Sequence, residues 1–159
     1  MRRRSAPNAR PLSLVAVLWL LSGCAGDGLR HGIAIPDGPR GEAVSAALDE
    51  IGTPYAYGAS SPGRALDCSA LTRHAHRAAG LQIPRVASAQ HRVARPVPRS
   101  EIEPGDLVFF RVGDGHHVGL MVDGSRFVHA STSSKRVRMA SLDKPYWRQR
   151  LIGAGSYFR

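Results

Sequence analysis

The chain has 159 residues, 43% of them hydrophobic, and a formal net charge of +10. Four of its 22 basic residues and none of its 12 acidic ones lie before residue 24, so the rest of the chain carries +6. That remainder of 136 residues is enough for one compact domain with a core. Its charge favours an anionic neighbour such as phospholipid head groups or cell-wall polymers. Nucleic acid is a poor partner for a chain that begins as this one does.

Arg2, Arg3, Arg4 and Arg10 precede a short apolar run from Leu12 to Leu21. Ten residues are too few for a mature membrane span, which needs about 20, so this run reads as an export signal. It ends in Leu21-Ser22-Gly23-Cys24, which resembles a bacterial lipobox. The resemblance implies cleavage before Cys24 and acylation of that residue. The expected divisions are a lipoprotein signal peptide over 1–23, a lipidated tether over 24–40 and a folded domain over 41–159. Glycine and proline scattered without periodicity mark the tether. Ala25 after Cys24 lacks the aspartate of inner-membrane retention, so the expected location is the outer membrane, facing the periplasm.

From Ala43 the apolar residues Val44, Ala47, Leu48 and Ile51 recur at helical spacing, with Gly52 as a stop. Residues 53–63 form a loop rich in turn formers. Asp67 suits the N-cap of a second helix over 68–79, closed by Gly80, and a short third helix fits within 84–93. After Pro104-Gly105 the period changes to that of strands, over 107–112, 118–122, 126–130, 136–140 and 151–158. Helices followed by antiparallel strands predict an α+β fold, helices packed on a small curved antiparallel β-sheet.

Cys68 is the one cysteine outside the export signal. An unpaired thiol in an oxidising compartment is a candidate nucleophile. At the first turn of a helix, unpaired N–H groups and the helix dipole stabilise a thiolate and an oxyanion formed from its target. The base should be a histidine, and seven are available. His31 lies in the tether. His74 and His76 are expected to be solvated on different faces of the Cys68 helix, and His91 lies in a polar stretch. His116, His117 and His129 lie at or in strands. A three-residue loop over Asp123-Gly124-Ser125, with Gly124 at positive φ, pairs Val122 with Arg126 and sets His129 opposite Gly119. His117 is then a same-face diagonal neighbour of His129, about 7–8 Å away. Adjacent strand residues face opposite ways, so His117 rather than His116 is expected to share a face with His129. Gly119 is expected to leave room for the His129 ring. No spacing suggests a metal site or cofactor, and neither is expected.

These residues resemble the NlpC-type, papain-like cell-wall peptidases of bacteria. The resemblance runs through Gly52-Thr53-Pro54-Tyr55 with Gly58, Asp67-Cys68-Ser69, Pro84-Arg85 with Ser88-Ala89-Gln90, Pro104 to Phe110, His117-Val118-Gly119, His129-Ala130-Ser131 and Tyr146-Trp147. It implies a papain-like peptidase core over 41–159, with Cys68 as nucleophile, His117 as base and His129 orienting His117. Tyr55 is implied beside the oxyanion or substrate, and Asp67 and Ser69 against the peptide's amino group. The implied reaction is hydrolysis of an amide bond in peptidoglycan stem peptides or cross-links through a thioester, by a monomer anchored to a membrane at Cys24. Ala59 and Ala70 replace glycines common in the family, which bears on specificity. The rivals are an acyltransferase using the same triad and a non-catalytic wall-binding lipoprotein.

Overall fold

The computed structural model describes residues 32–159. The expected signal peptide, Cys24 and His31 lie outside the described residues. Helix α1 (Pro39–Asp49) is followed by a two-stranded hairpin of β1 (Ser60–Ser61) and β2 (Ala65–Leu66). Next come α2 (Cys68–Ala78) and α3 (Ala87–Val93). The strands β3 (Arg95–Pro96), β4 (Leu107–Val112), β5 (Gly115–Met121), β6 (Arg126–Ser131) and β7 (Arg136–Ser141) come after them, then α4 (Pro145–Arg148) and β8 (Leu151–Ser156). Six strands make one sheet in the order β3-β8-β4-β5-β6-β7, antiparallel throughout.

The domain begins before the expected boundary at residue 41. Pro39 and Arg40, read as tether, form the first turn of α1. Proline has no N–H to waste at that position, and its fixed φ suits a helix start. Arg40 then reaches Asp106 Oδ1 and the Pro104 carbonyl, each at 2.9 Å, and Glu103 at 3.0 Å, fastening α1 to the start of β4.

The sheet is covered on both faces, and the alternation of β4 shows how. Leu107 and Phe109 enter the larger core with Ala43, Val44, Ala47 and Leu48 of α1 and Leu71 and Ala75 of α2. Val108 and Phe110 enter a smaller core on the other face with Met121, Phe127 and Leu142, against which Trp147 of α4 packs. Phe109, Phe110 and Phe127 are fully buried, each contributing roughly 2–3 kcal/mol relative to exposure. Burial on both faces makes β4 a continuous apolar run instead of an alternating one.

The hairpin between β5 and β6 has the expected register. Leu120 pairs with Val128 and Met121 with Phe127, and the Val122 N–H donates to the Arg126 carbonyl at 2.9 Å. The turn is not held by a positive φ at Gly124. Asp123 holds it by accepting from the backbone N–H groups of Ser125 and Arg126, since a short carboxylate can close a turn on its own backbone.

Candidate active site

Asp67 makes the start of α2. Its Oδ1 accepts from the Ala70 N–H at 2.7 Å, an N-cap bond that satisfies one of the donors left open in the first turn. This puts Cys68 at the first helical position, partly buried and free of any disulfide. The pairing of β5 with β6 is confined to residues 120–121 on β5, so Val118 has no ladder partner on that side. Its N–H instead points at the Cys68 sulfur, as do those of Ser69 and Cys68 itself. Burial pushes the Cys68 thiol up, Asp67 adds to that, and the three N–H groups oppose it; burial prevails.

His117 lies inside β5, which begins three residues earlier than expected, and only 7% of it is exposed. Its Nε2 is 2.9 Å from Nδ1 of His129, which is 3% exposed on β6. The rings meet edge to face at 86°. His116, pointing the other way, approaches His91 at 6.2 Å between centroids. Burial lowers His117 to about 4, and burial followed by the charges of His117 and Arg138 lowers His129 to about 3. Both imidazoles are therefore neutral at pH 7, so their hydrogen bond has one donor and one acceptor.

Trp147, in the Tyr146-Trp147 pair near the end of the chain, covers this bond. Its ring lies nearly parallel to His117 at 5.7 Å and nearly perpendicular to His129 at 4.8 Å. Excluding water from one side strengthens the hydrogen bond and holds both rings. Gly119 opposite makes room, but for a different ring than expected. A Cβ there would lie 2.5 Å from Phe127, whose ring stands beside His129 at 5.4 Å.

Tyr55 sits on the loop between α1 and β1. Its N–H donates to the Lys135 carbonyl, and Gly52 and Val137 exchange contacts with the same loop through Gly52 N–H to Val137 O and Val137 N–H to Thr53 O. Burial raises the Tyr55 phenol, and the negative charges of Cys68, Asp67 and Tyr57 raise it further. Tyr55, Cys68 and His117 open on one cavity of about 670 Å³, together with Asp67, Ser69 and Arg85.

Asp67 and Ser69, implied against the peptide's amino group, line the cavity and also bond within the protein. Asp67 Oδ1 accepts from Ala70 N–H, Ser69 Oγ and Arg85, and Oδ2 accepts from Gly58 N–H and Arg85 at 2.7 Å. Ser69 Oγ accepts from Arg85 in turn at 3.0 Å. Five internal donors converge on this one carboxylate, two of them from Arg85. Arg85 also binds the carbonyls of Gly58 and Ala59, so it ties the α2 start to the rim of the cleft. The sequence signal for this was present in Pro84-Arg85, but its partner lies 18 residues away and no spacing rule joins them.

The NlpC/P60 family profile matches residues 52–156. The chain is 36% identical over 118 residues to the murein DD-endopeptidase MepH of Escherichia coli K12, covering 70% of this chain and 44% of that protein. It is 41% identical over 104 residues to the murein DD-endopeptidase MepS/murein LD-carboxypeptidase of the same organism, covering 64% and 54%. It thus spans about half the length of these curated relatives. Among solved structures, a lipoprotein-like NLP/P60 protein of Staphylococcus aureus superposes with a TM-score of 0.70 at 30% identity, over 81% of this chain and 45% of that one. The peptidoglycan hydrolase RipB of Mycobacterium tuberculosis gives 0.66 at 26% identity, over 76% and 65%. The chain belongs to the NlpC/P60 family and has its papain-like fold.

Proposed function

We propose that this NlpC/P60 domain is a cysteine endopeptidase of peptidoglycan that cuts an amide bond in stem peptides or their cross-links through a thioester on Cys68. Relatives named as murein endopeptidases and peptidoglycan hydrolases support the substrate. One observation carries the chemistry: a free thiol at a helix start shares a cavity with a histidine whose far nitrogen is held by a second histidine.

The productive tautomer follows from that contact. His117 Nε2–H donates to His129 Nδ1, which leaves His117 Nδ1 with a lone pair for the Cys68 proton. The thiolate attacks the carbonyl carbon, and the N–H groups at the start of α2 donate to the developing oxyanion, each worth about 10²–10³ in rate. His117, now protonated, gives its proton to the leaving amine as the C–N bond breaks. Water, deprotonated by His117, then releases the acyl group from sulfur as a carboxylate. His129 acts as a positioning residue for His117, and Tyr55 adds a hydroxyl on the cavity wall.

Diaminopimelate supplies the leaving amine whether the bond is γ-D-glutamyl–diaminopimelate or D-alanyl–diaminopimelate. The name DD-endopeptidase, carried by the Escherichia coli relatives, favours the second, a bond between two D centres. Anchoring through Cys24 in the outer membrane belongs to the same proposal, supported by the lipobox-like sequence. Purified protein incubated with intact peptidoglycan should release muropeptides with new termini, identified by mass spectrometry, and Cys68→Ala should release none. An acyl group transferred to another amine would replace hydrolysis with acyl transfer. No cleavage by folded protein, with Cys68 inert to alkylation, would leave a wall-binding role.

A further inference from the structure

A second cavity, of about 410 Å³, lies on the far side of the histidine pair. It shares Val112, His117 and Thr132 with the first cavity, so the two adjoin at His117. Their linings differ in charge. On the Cys68 side Asp67 is neutralised by Arg85, and Asp114 is also present. On the His129 side the lining holds Arg138 and Lys144 and no carboxylate. Arg138 stands directly across the β6–β7 ladder from His129. Lys144 sits at the foot of α4, next to the tryptophan that covers the histidine pair. Both cations are exposed, and neither forms an ion pair among the described residues. Asp143 beside Lys144 lies outside the lining and accepts from Ser141 Oγ. Two cations lining a cavity that holds no carboxylate make it an electropositive site, suited to an anionic group.

The direction of proton transfer says which half of the substrate meets them. The amine leaves from beside His117, and because His117 lines both cavities, the second cavity lies within reach of the leaving fragment. The acyl half stays with Cys68 and the start of α2. We infer that the Arg138–Lys144 cavity is the leaving-group subsite and selects a fragment bearing a free carboxylate close to the departing amine. This rests on the endopeptidase reading above and deepens it. In a D-alanyl–diaminopimelate cross-link, the carbon carrying the departing nitrogen also carries a carboxylate, a short step from the scissile bond. Amidation of that carboxylate removes the charge and leaves the shape almost unchanged.

The test uses two soluble cross-linked muropeptide dimers that differ only in whether this carboxylate is free or amidated. The protein should cleave the free-acid dimer with a kcat/KM about tenfold higher, as expected for a charge-assisted contact, and the preference should shrink with added salt. Arg138→Gln with Lys144→Gln should erase the preference, the two dimers then being cleaved at similar rates. Arg148→Gln, which removes an exposed cation outside this lining, should keep the preference. Both lining residues are exposed, so the double variant is expected to fold, and its Cys68 alkylation rate should match the parent's. Cleavage of both dimers at equal rates, or an undiminished preference in the double variant, would overturn the subsite while leaving the endopeptidase intact. Cleavage of neither dimer would overturn both.

Discussion

The two ends of helix α2 carry functional groups put to opposite use. At the far end, His76 is fully buried, with its Nδ1–H donated to the Thr72 carbonyl at 2.9 Å. Its Nε2 has no partner among the described residues, and its ring is enclosed by Tyr157 and Phe158 at 5.5 and 5.3 Å. At the near end, Cys68 opens on a cavity it shares with His117. Burial lowers His76 and His117 alike, each to about 4. A perturbed titration therefore does not identify the functional histidine. Its second nitrogen does: His76 is closed in by aromatic rings, whereas His117 has a ring holding one nitrogen and a thiol-bearing cavity before the rest.

The comparison breaks most sharply if histidines at the near end are dispensable. His117→Ala should lower kcat by at least about 10³-fold with the fold retained, as loss of the base and of proton delivery requires. His129→Ala should cost about 10²-fold in kcat with little change in KM, and His129→Asn, which keeps an acceptor for His117 Nε2–H, should recover most of that. If Asn rescued nothing, or if KM rose instead, His129 would be a substrate contact and not a positioning residue.

Asp67 tests whether the near end is also a structural joint. Asp67→Asn leaves the Arg85 guanidinium facing a neutral amide at a mostly buried site, and a loss of about 2–3 kcal/mol is expected from chemical denaturation. Unchanged stability would mean that the Arg85 bridge does not hold the cleft rim.

The smallest expected effect belongs to the far end. His76 has an ordinary value of 6.5 when unfolded and about 4 when folded. Between those values the unfolded chain binds a proton that the folded one refuses, so stability is intact above pH 6.5 and falls as pH drops toward 4. His117 and His129 act in the same direction. Each contributes at most about 1.4 kcal/mol per pH unit in that window. His76→Phe should flatten the fall of melting temperature between pH 6.5 and 4 without altering cleavage at pH 7. A slope unchanged by the substitution would remove His76 from the acid response.

Much of this could be read from residue order. The apolar period of Ala43 to Ile51, the Asp67 cap and the parity of the β5–β6 hairpin follow from local rules, and the structure agrees with each. Parity also put His117 and His129 on one face, because a strand allows only two choices per residue. Solvent exposure of His76 was misread for a related reason. Its polar neighbours in α2 said nothing about Tyr157 and Phe158, which arrive from 81 residues further along the chain to enclose it. The four-residue α4 was too short to show a period, so the role of Trp147 over the histidine pair stayed hidden.

Sequence alone, then, determined the family, the α+β order, the lone thiol at a helix start and the pairing of two histidines, since each depends on neighbours within about a dozen residues or on motifs in fixed order. Tertiary structure alone decided which groups remain free to act. Arg85 reaches across 18 residues to occupy Asp67, Val118 turns an unpaired N–H to the sulfur where β5 parts from β6, and Arg138 and Lys144 share a cavity without an acid. Hydrogen bonds and charges are satisfied by whatever the fold brings within about 3 Å, and no spacing in the chain records that distance.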